Sequence, residues 1–520
     1  MQILQKPQLS VQKRTVGLLN QNKKMIEVRL LKNGNINIVK AEKGENLLKV
    51  IQRSGTGLYA PCGGNGTCGK CRVNIVNTGV VTSCLYTIEK DIEVILPDDR
   101  EMKVLSSQYN FSKDIELAPG NSAVLSENPI GIAVDIGTTT IVYYFMDLKT
   151  GGITDIRSNA NPQIQYGSDV ISRINYGSGK ENGTKELQQH LVDDLNRVID
   201  RFCKKHNYNN SDIVRVAVVG NTVMLHMFSG ICALPIAHAP FTPVFTETKK
   251  LLPADAGLDI NEKAEVILAP SLSGYVGGDI IAGLCSINDD FFKKQFLFVD
   301  IGTNGEIVLV TKDRILACAT AAGPAFEGAN ISCGMSAVIG AISSFRNGKP
   351  KIIGDTDAAG VCGSGLIDIV AWMLDNEVLG MDGNISEDFV IPGLEQDNEL
   401  KITQQDIREV QLAKSAIAAG INRLLSIAGI TTEELDNILL AGGFGNYIDI
   451  QNAVRIGLLP DVPREKYIQM GNTAGTGAVL TLKSDNFIPV MEKMRDGIEY
   501  IELSTDPDFS MEYAMNMFFN

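Results

Sequence analysis

The sequence predicts an α/β protein with a small sheet module in front and two larger α/β lobes behind, on three observations. Four cysteines fall in one stretch, Cys62, Cys68, Cys71 and Cys84, spaced C-x5-C-x2-C-x12-C, with Gly63, Gly64, Gly66 and Gly69 between the first three. A segment AVDIGTTTIVYYF from Ala133 recurs as FVDIGTNGEIVLV from Phe298, each an apolar run, an aspartate, a Gly-Thr turn and a second apolar run. A further segment, ILLAGGFGNYID, sets Gly442, Gly443 and Gly445 after another apolar run.

Along the chain, residues 1–24 read as a basic extension. They carry Lys6, Lys13, Arg14, Lys23 and Lys24 without the apolar centre of a secretory leader. Residues 25–98 then fit a β-grasp ferredoxin. MIEVRLL and INIVK read as strands around the hairpin signal Asn33-Gly34, NLLKVIQRSG as a short helix, and RVNIV and IEVIL as strands after the cysteine loop. Four thiolates are what a [2Fe-2S] cluster requires, and small residues let the backbone curl around it and turn N–H groups toward sulfur. Zinc is the alternative, disfavoured because zinc ribbons show two C-x2-C knuckles and one occurs here. The first gap holds five residues against four in the plant type. Lys70 and Arg72 flank the cysteines, either as solvated charge or as groups that tune the cluster or meet an acidic partner.

Residues 99–129 change composition and read as a linker. About 30 flexible residues would reach roughly 30 Å, and the alternative is a segment packed along the larger module. In residues 130–520, KELQQHLVDDLNRVIDRFCKKH places Leu187, Leu191, Leu195, Val198 and Phe202 at helical spacing. VRVAVVG reads as a buried strand, and IREVQLAKSAIAAGINRLLSIAG as a long helix that Gly429 ends.

Each Asp-x-Gly-Thr hairpin can bring backbone N–H groups and hydroxyls to phosphate oxygens while its aspartate holds Mg2+ through water. One copy would also fit an ordinary turn, but two copies specify more. Asp135 and Asp300 are the expected metal-positioning acids. Gly137, Thr138, Thr139, Thr140, Gly302, Thr303, Asn304 and Gly305 are the expected phosphate contacts. Gly442, Gly443, Phe444 and Gly445 would form the adenosine loop, where missing side chains leave room for a flat base. Glu306, shortly after the second turn, either orients the attacking water or is a structural acceptor.

These motifs resemble the phosphate and adenosine motifs of the superfamily of acetate and sugar kinases, Hsc70 and actin, with GNTAGTGAVL similar to its second connecting helix. The cysteine module in front narrows the resemblance to the reductive activators of corrinoid-dependent enzymes. VGNTVMLHMFSGI, SGYVGGDIIAGL, AAGPAFEGANISCGM and GVCGSGLID look like that family's sequence too. The resemblance implies a two-lobed actin-like ATPase of duplicated RNase H-like halves. It also implies ATP-dependent transfer of one electron from [2Fe-2S] to Co(II) corrinoid, regenerating Co(I) for methyl transfer. The implied cofactors are the cluster, ATP and Mg2+. The implied partners are a corrinoid protein of a methyltransferase system, a low-potential electron donor and a second copy of the chain in a homodimer. Two alternatives stand beside it. Activators of 2-hydroxyacyl-CoA dehydratases join this ATPase fold to one shared [4Fe-4S] cluster but lack the front module. A nucleotide-binding redox sensor would bind without driving electrons.

Composition agrees with this plan. The 520 residues suffice for three or four compact units, and a net charge of −14 disfavours nucleic acid as a partner. No apolar stretch approaches the ~20 residues of a membrane span, so a reducing cytoplasm is expected. Cys203, Cys232, Cys285, Cys318, Cys333 and Cys362 lack ligand spacing and read as buried thiols. His226 reads as a satisfied core histidine among Met224, Met227 and Phe228.

Overall fold

The structure is a computed structural model that describes residues 25–32, 35–54, 58, 71–96, 112–354, 356–394 and 399–520. It contains two compact units, a small N-terminal one and a much larger one. In the first, β1 (Ile26–Lys32), β2 (Asn35–Ala41), α1 (Leu47–Arg53), β3 (Arg72–Ile75), β4 (Gly79–Thr82) and β5 (Ile92–Ile95) form a sheet of order β2-β1-β5-β3-β4 with one helix. The central β1 and β5 run parallel, and Val28, Leu30 and Val94 are fully buried, as are Leu47, Val50 and Ile51 of α1. Period-2 burial on the strands and the apolar face of the helix thus close one small core. The Asn33-Gly34 turn lies outside the described residues. β4 was not expected: its four residues include none that is buried, so no alternation marks it.

The larger unit begins with a strap. Ser112 bridges Ile287, Ala118 bridges Ser484, and Lys113 pairs with Asp289 at 2.6 Å. The fully buried Arg215 guanidinium donates to the Pro119 carbonyl (2.8 Å), the Thr481 carbonyl (3.1 Å), Glu265 (3.1 Å) and Asp485 (2.5 Å), locking the strap onto the body. Residues 112–129 therefore lie along the larger unit.

The first lobe comprises β6 (Ile130–Ile136), β7 (Thr140–Asp147), β8 (Ile153–Ala160), α2 (Val170–Gly179), α3 (Gly183–His206), β9 (Ile213–Gly220), α4 (Thr222–Phe228), β10 (Lys249–Leu251), α5 (Pro253–Ala256), β11 (Glu265–Leu268) and α6 (Gly278–Ser286). The second comprises β12 (Phe296–Ile301), β13 (Gly305–Val310), β14 (Ile315–Thr320), β15 (Ala341–Arg346), β16 (Lys349–Ile352), β17 (Gly360–Val361), α7 (Gly363–Asp375), β18 (Phe389–Val390), β19 (Lys401–Ile402), α8 (Gln404–Ala428), β20 (Asn437–Ala441), α9 (Gly442–Gly445), α10 (Ile450–Arg455), β21 (Tyr467–Gly471), α11 (Thr473–Lys483), α12 (Phe487–Gly497), β22 (Ile498–Tyr500) and α13 (Pro507–Met515).

The duplication seen in sequence is a duplication of sheets. The orders β10-β11-β9-β6-β7-β8 and β21-β20-β12-β13-β14-β22 each set an antiparallel hairpin beside a parallel strand, β6–β7 next to β9 and β12–β13 next to β20. β9 is buried at every position, as expected of a parallel strand covered on both faces. The predicted α3 buries Leu187, Leu191, Leu195, Val198 and Phe202 on its lobe's core and ends on Asn207 at φ 59°, an αL position that asparagine tolerates. α8 opens on a Thr403–Asp406 capping box and ends at Gly429, φ 68°.

α6 and α11 pack on each other, and their apolar residues share a core with inner-face residues of both sheets, among them Ala133 and Ala217 of the first and Phe298 and Leu439 of the second. The α11 cap Asn472 bonds Asp135 of the first hairpin, and the C-terminal ends of both helices hold the strap: Lys113 N–H donates to the Ser286 carbonyl at 2.7 Å and Ala118 N–H to the Lys483 carbonyl at 2.8 Å. No helix among the described residues is long and apolar enough to cross a membrane.

Candidate functional site

The two hairpins deliver their aspartates at equivalent strand ends, Asp135 beside Val219 of β9 and Asp300 beside Ala441 of β20. Asp279, the second residue of α6, and Glu306 of β13 join them. Asp300 and Glu306 are direct cross-strand partners. Glu327, at the end of the one-turn segment Pro324–Glu327, completes the acidic set. Asp135, Asp279, Asp300 and Glu327 keep partial solvent access although protein closely surrounds them, and Glu306 is 9% exposed.

Among the described residues none of these five acids forms an ion pair, and burial is the first cause acting on the ionisation of each. Burial raises Asp135 to about 6, against the opposing effect of a 2.8 Å bond from Asn472 Nδ2. Burial, then the charges of Asp135 and Glu327, raises Asp300 to about 7. Burial, then Asp300 and Asp135, raises Asp279 to about 8. Glu306 is pushed well above the usual carboxylate range by burial and then by Asp279 and Asp300. A cation at this place would reverse each of these shifts, because it supplies the missing opposite charge.

The polar residues around the acids come from remote parts of the chain. Asn472 caps α11, accepting from Gly475 N–H at 2.7 Å while it reaches Asp135. Asn221 caps α4 and donates to Thr138 Oγ1 at 3.1 Å. Arg173, fully buried, donates from Nη2 to the Thr138 carbonyl at 2.5 Å and from Nε to the Gly167 carbonyl at 3.0 Å. Thr139 Oγ1 donates to Glu327 Oε2 at 2.5 Å and Thr303 Oγ1 to Glu327 Oε1 at 2.9 Å, so one carboxylate joins the turns of both hairpins.

The turns themselves are backbone-closed. Gly137 N–H donates to the Thr140 carbonyl and Gly302 N–H to the Asn304 carbonyl, both at 2.9 Å. Gly305 opens β13 with Ile417 and Thr320 against the position a side chain would take. Gly442, at φ 80°, touches the Asp300 carboxylate where a Cβ would stand, whereas the Cβ position of Gly443 faces open space. Phe444 stacks on Phe326 with centroids 5.4 Å apart and planes 11° off parallel. Directly after this loop lies a cavity of about 560 Å³ that includes Tyr447, Ile448, Ser343 and Asp368. The structure thus brings Asp135, Asp300, Thr138, Thr139, Thr303 and Glu306 into one cleft. Sequence reasoning missed Asp279, Glu327, Asn472, Asn221 and Arg173. The first four lie in GGDIIAGL, GPAFEGA, GNTAGTG and VGNTVML, stretches already noted for their family likeness, so the segments were legible but the residues in them were not.

Of the cysteine set, Cys62 and Cys68 lie outside the described residues. Cys71, fully buried, directly precedes β3, and Cys84 follows β4 in the single turn Ser83–Leu85, its carbonyl held by Asn46 Nδ2 at 2.8 Å. Arg72 faces Thr82 across the hairpin, so both cysteines belong to that hairpin's open end. Among the other thiols Cys203, Cys285, Cys318 and Cys362 are buried, whereas Cys333 is half-buried and Cys232 exposed, contrary to expectation. His226 is a satisfied core residue: it accepts from Val244 N–H at Nε2 (3.0 Å), which leaves Nδ1–H for the Thr222 carbonyl (2.7 Å).

The chain matches the profile for the RACo middle region over residues 130–289, and that for the C-terminal domain of RACo, the ASKHA domain, over residues 294–520. It is 32% identical to the corrinoid activation enzyme RamQ of Eubacterium limosum, over 89% of this chain and 94% of that protein. It is 25% identical to the [Co(II) methylated amine-specific corrinoid protein] reductase of Methanosarcina barkeri, over 74% and 76%. A solved structure of a reductive activator for corrinoid, iron-sulfur protein superposes with a TM-score of 0.69 and 28% identity, covering 95% of this chain and 98% of that one. The two hairpins, the two sheets and the connecting helices are accordingly those of an actin-like ATPase fold, and the chain belongs to the RACo family of reductive activators of corrinoid-dependent enzymes.

Proposed function

We propose that this protein uses ATP to drive one electron onto the Co(II) corrinoid of a methyltransferase system, yielding the Co(I) nucleophile. The observation that carries the ATP part is the convergence of Asp135, Asp279, Asp300 and Glu306, none of them in an ion pair among the described residues, between two Gly-Thr turns. Such a set suits a hydrated Mg2+ bound to polyphosphate. Asp135, Asp279 and Asp300 would hold the ion through its waters. The Gly137 to Thr140 and Gly302 to Gly305 turns would face the phosphates, and the Gly442 to Gly445 loop with the adjoining cavity offers space for adenosine. Glu306, close to Asp279 and Asp300, would orient the attacking water.

Cys62, Cys68, Cys71 and Cys84 would hold a [2Fe-2S] cluster, which supplies a one-electron carrier refilled by a low-potential donor. Two thiols at the open end of one hairpin fit that donor set. Plant-type [2Fe-2S] clusters lie near −400 mV. If the cobalt couple lay ~100 mV lower, one electron would cost about 2.3 kcal/mol, within the ~1–3 kcal/mol that coupling between sites typically supplies.

The test is an anaerobic absorbance assay of Co(I) formation with a low-potential reductant and candidate Co(II) corrinoid proteins, with and without MgATP. Co(I) that needs MgATP and vanishes in Cys68→Ala is expected. Equal Co(I) without nucleotide would remove the ATP part, and Co(I) in Cys68→Ala would remove the cluster route.

A further inference from the structure

Among the described residues Glu327 is the side chain bonded to the turns of both hairpins, and its bonds have a fixed polarity. An ionised carboxylate only accepts hydrogen bonds, so the hydroxyl protons of Thr139 and Thr303 both point at it. A phosphate also only accepts. Each of these two hydroxyls can therefore serve Glu327 or a phosphate oxygen, but not both. Thr138 differs: its oxygen accepts from Asn221 Nδ2, which leaves its own proton to give away. Arg173 fixes the Thr138 carbonyl from below, and although burial raises the Glu327 carboxyl, the bonds from Thr139 and Thr303 and then the Arg173 charge oppose that rise.

We propose that Glu327 is a latch that joins the two hairpin turns, and that phosphates of a bound nucleotide open it by taking the hydroxyls of Thr139 and Thr303. The inference rests on the nucleotide reading above and adds how occupancy becomes movement: binding breaks the contacts that hold one hairpin to the other. A ligand shifts such an equilibrium only through interactions that differ between the two states, and here the competing partners are named. Glu327 is thus a positioning residue, acting on nucleotide through the two threonines.

The experiment measures calorimetric affinities of full-length wild type, Glu327→Asp and Glu327→Gln for the non-hydrolysable β,γ-imido analogue of MgATP and for AMP. Aspartate keeps the charge but is one methylene too short to span both hydroxyls. Both variants are expected to bind the triphosphate analogue about five- to a hundred-fold tighter, the range of typical coupling between sites, with AMP affinity unchanged. Tightening in Glu327→Gln alone would reduce the effect to charge and overturn the latch. Unchanged or weaker binding in both variants would overturn it as well, while leaving nucleotide binding by the wild type intact. A wild type that binds no nucleotide would sink the nucleotide reading and the latch with it.

Discussion

In the first hairpin residues 137–140 lie between the paired Ile136 and Ile141, whereas in the second only residues 302–304 lie between Ile301 and Gly305. The same opening, Asp-Ile-Gly-Thr, thus leads into turns of different length. The strand position opposite the aspartate is Val142 in one copy and Glu306 in the other. Asp135 has a hydrogen-bond donor, Asn472, while Asp300 feels the charges of Asp135 and Glu327 and in turn raises Asp279 and Glu306. Duplication has therefore produced a division of labour. The first hairpin contributes hydroxyls steadied by asparagine and arginine, and the second contributes concentrated negative charge.

The largest effect should come from removing either aspartate. Asp300→Asn and Asp135→Asn are expected to lower MgATP turnover by roughly 10²-fold or more, Asp300 the more severely. Equal losses in steady-state ATPase assays would mean that the asymmetry of surroundings has no catalytic weight.

A second experiment titrates the acids. The folded values of about 6, 7 and 8 for Asp135, Asp300 and Asp279 lie above the ordinary 3.8. Their contribution to stability is present below about pH 4 and is lost as pH rises through 6 to 8. Mg2+ must displace these protons, so its calorimetric affinity is expected to rise about tenfold per pH unit for each proton released in this window. An affinity independent of pH would show that the acids are already ionised without the ion.

The smallest effect concerns the like-charged pair. Above the pH at which both groups ionise, Glu306→Gln removes a cross-strand repulsion with Asp300 and is expected to raise unfolding stability without nucleotide by about 1 kcal/mol in urea titration. It should also lower ATP turnover if Glu306 orients water. Lower stability would instead make Glu306 a structural acceptor.

The hairpins were legible because their signals are local: an apolar run, an Asp-x-Gly-Thr turn and a second run within a dozen residues. The same holds for α3 and α8, whose periodicity and caps are written in the segments themselves. Asn472 reaches Asp135 across 337 positions, and Glu327 reaches Thr139 across 188. No spacing rule links such residues, since it is the packing of α11 against the first sheet and the return of the chain after β14 that bring them together. The bland readings of His226 and the long helices held because burial patterns follow periodicity. Cys232 escaped because a lone thiol carries no pattern that reports exposure.

The strap that Arg215 locks in place also makes four distant stretches of the larger unit depend on one side chain. Pro119, Glu265, Thr481 and Asp485 all accept from the same buried guanidinium, so they would loosen together if it were lost.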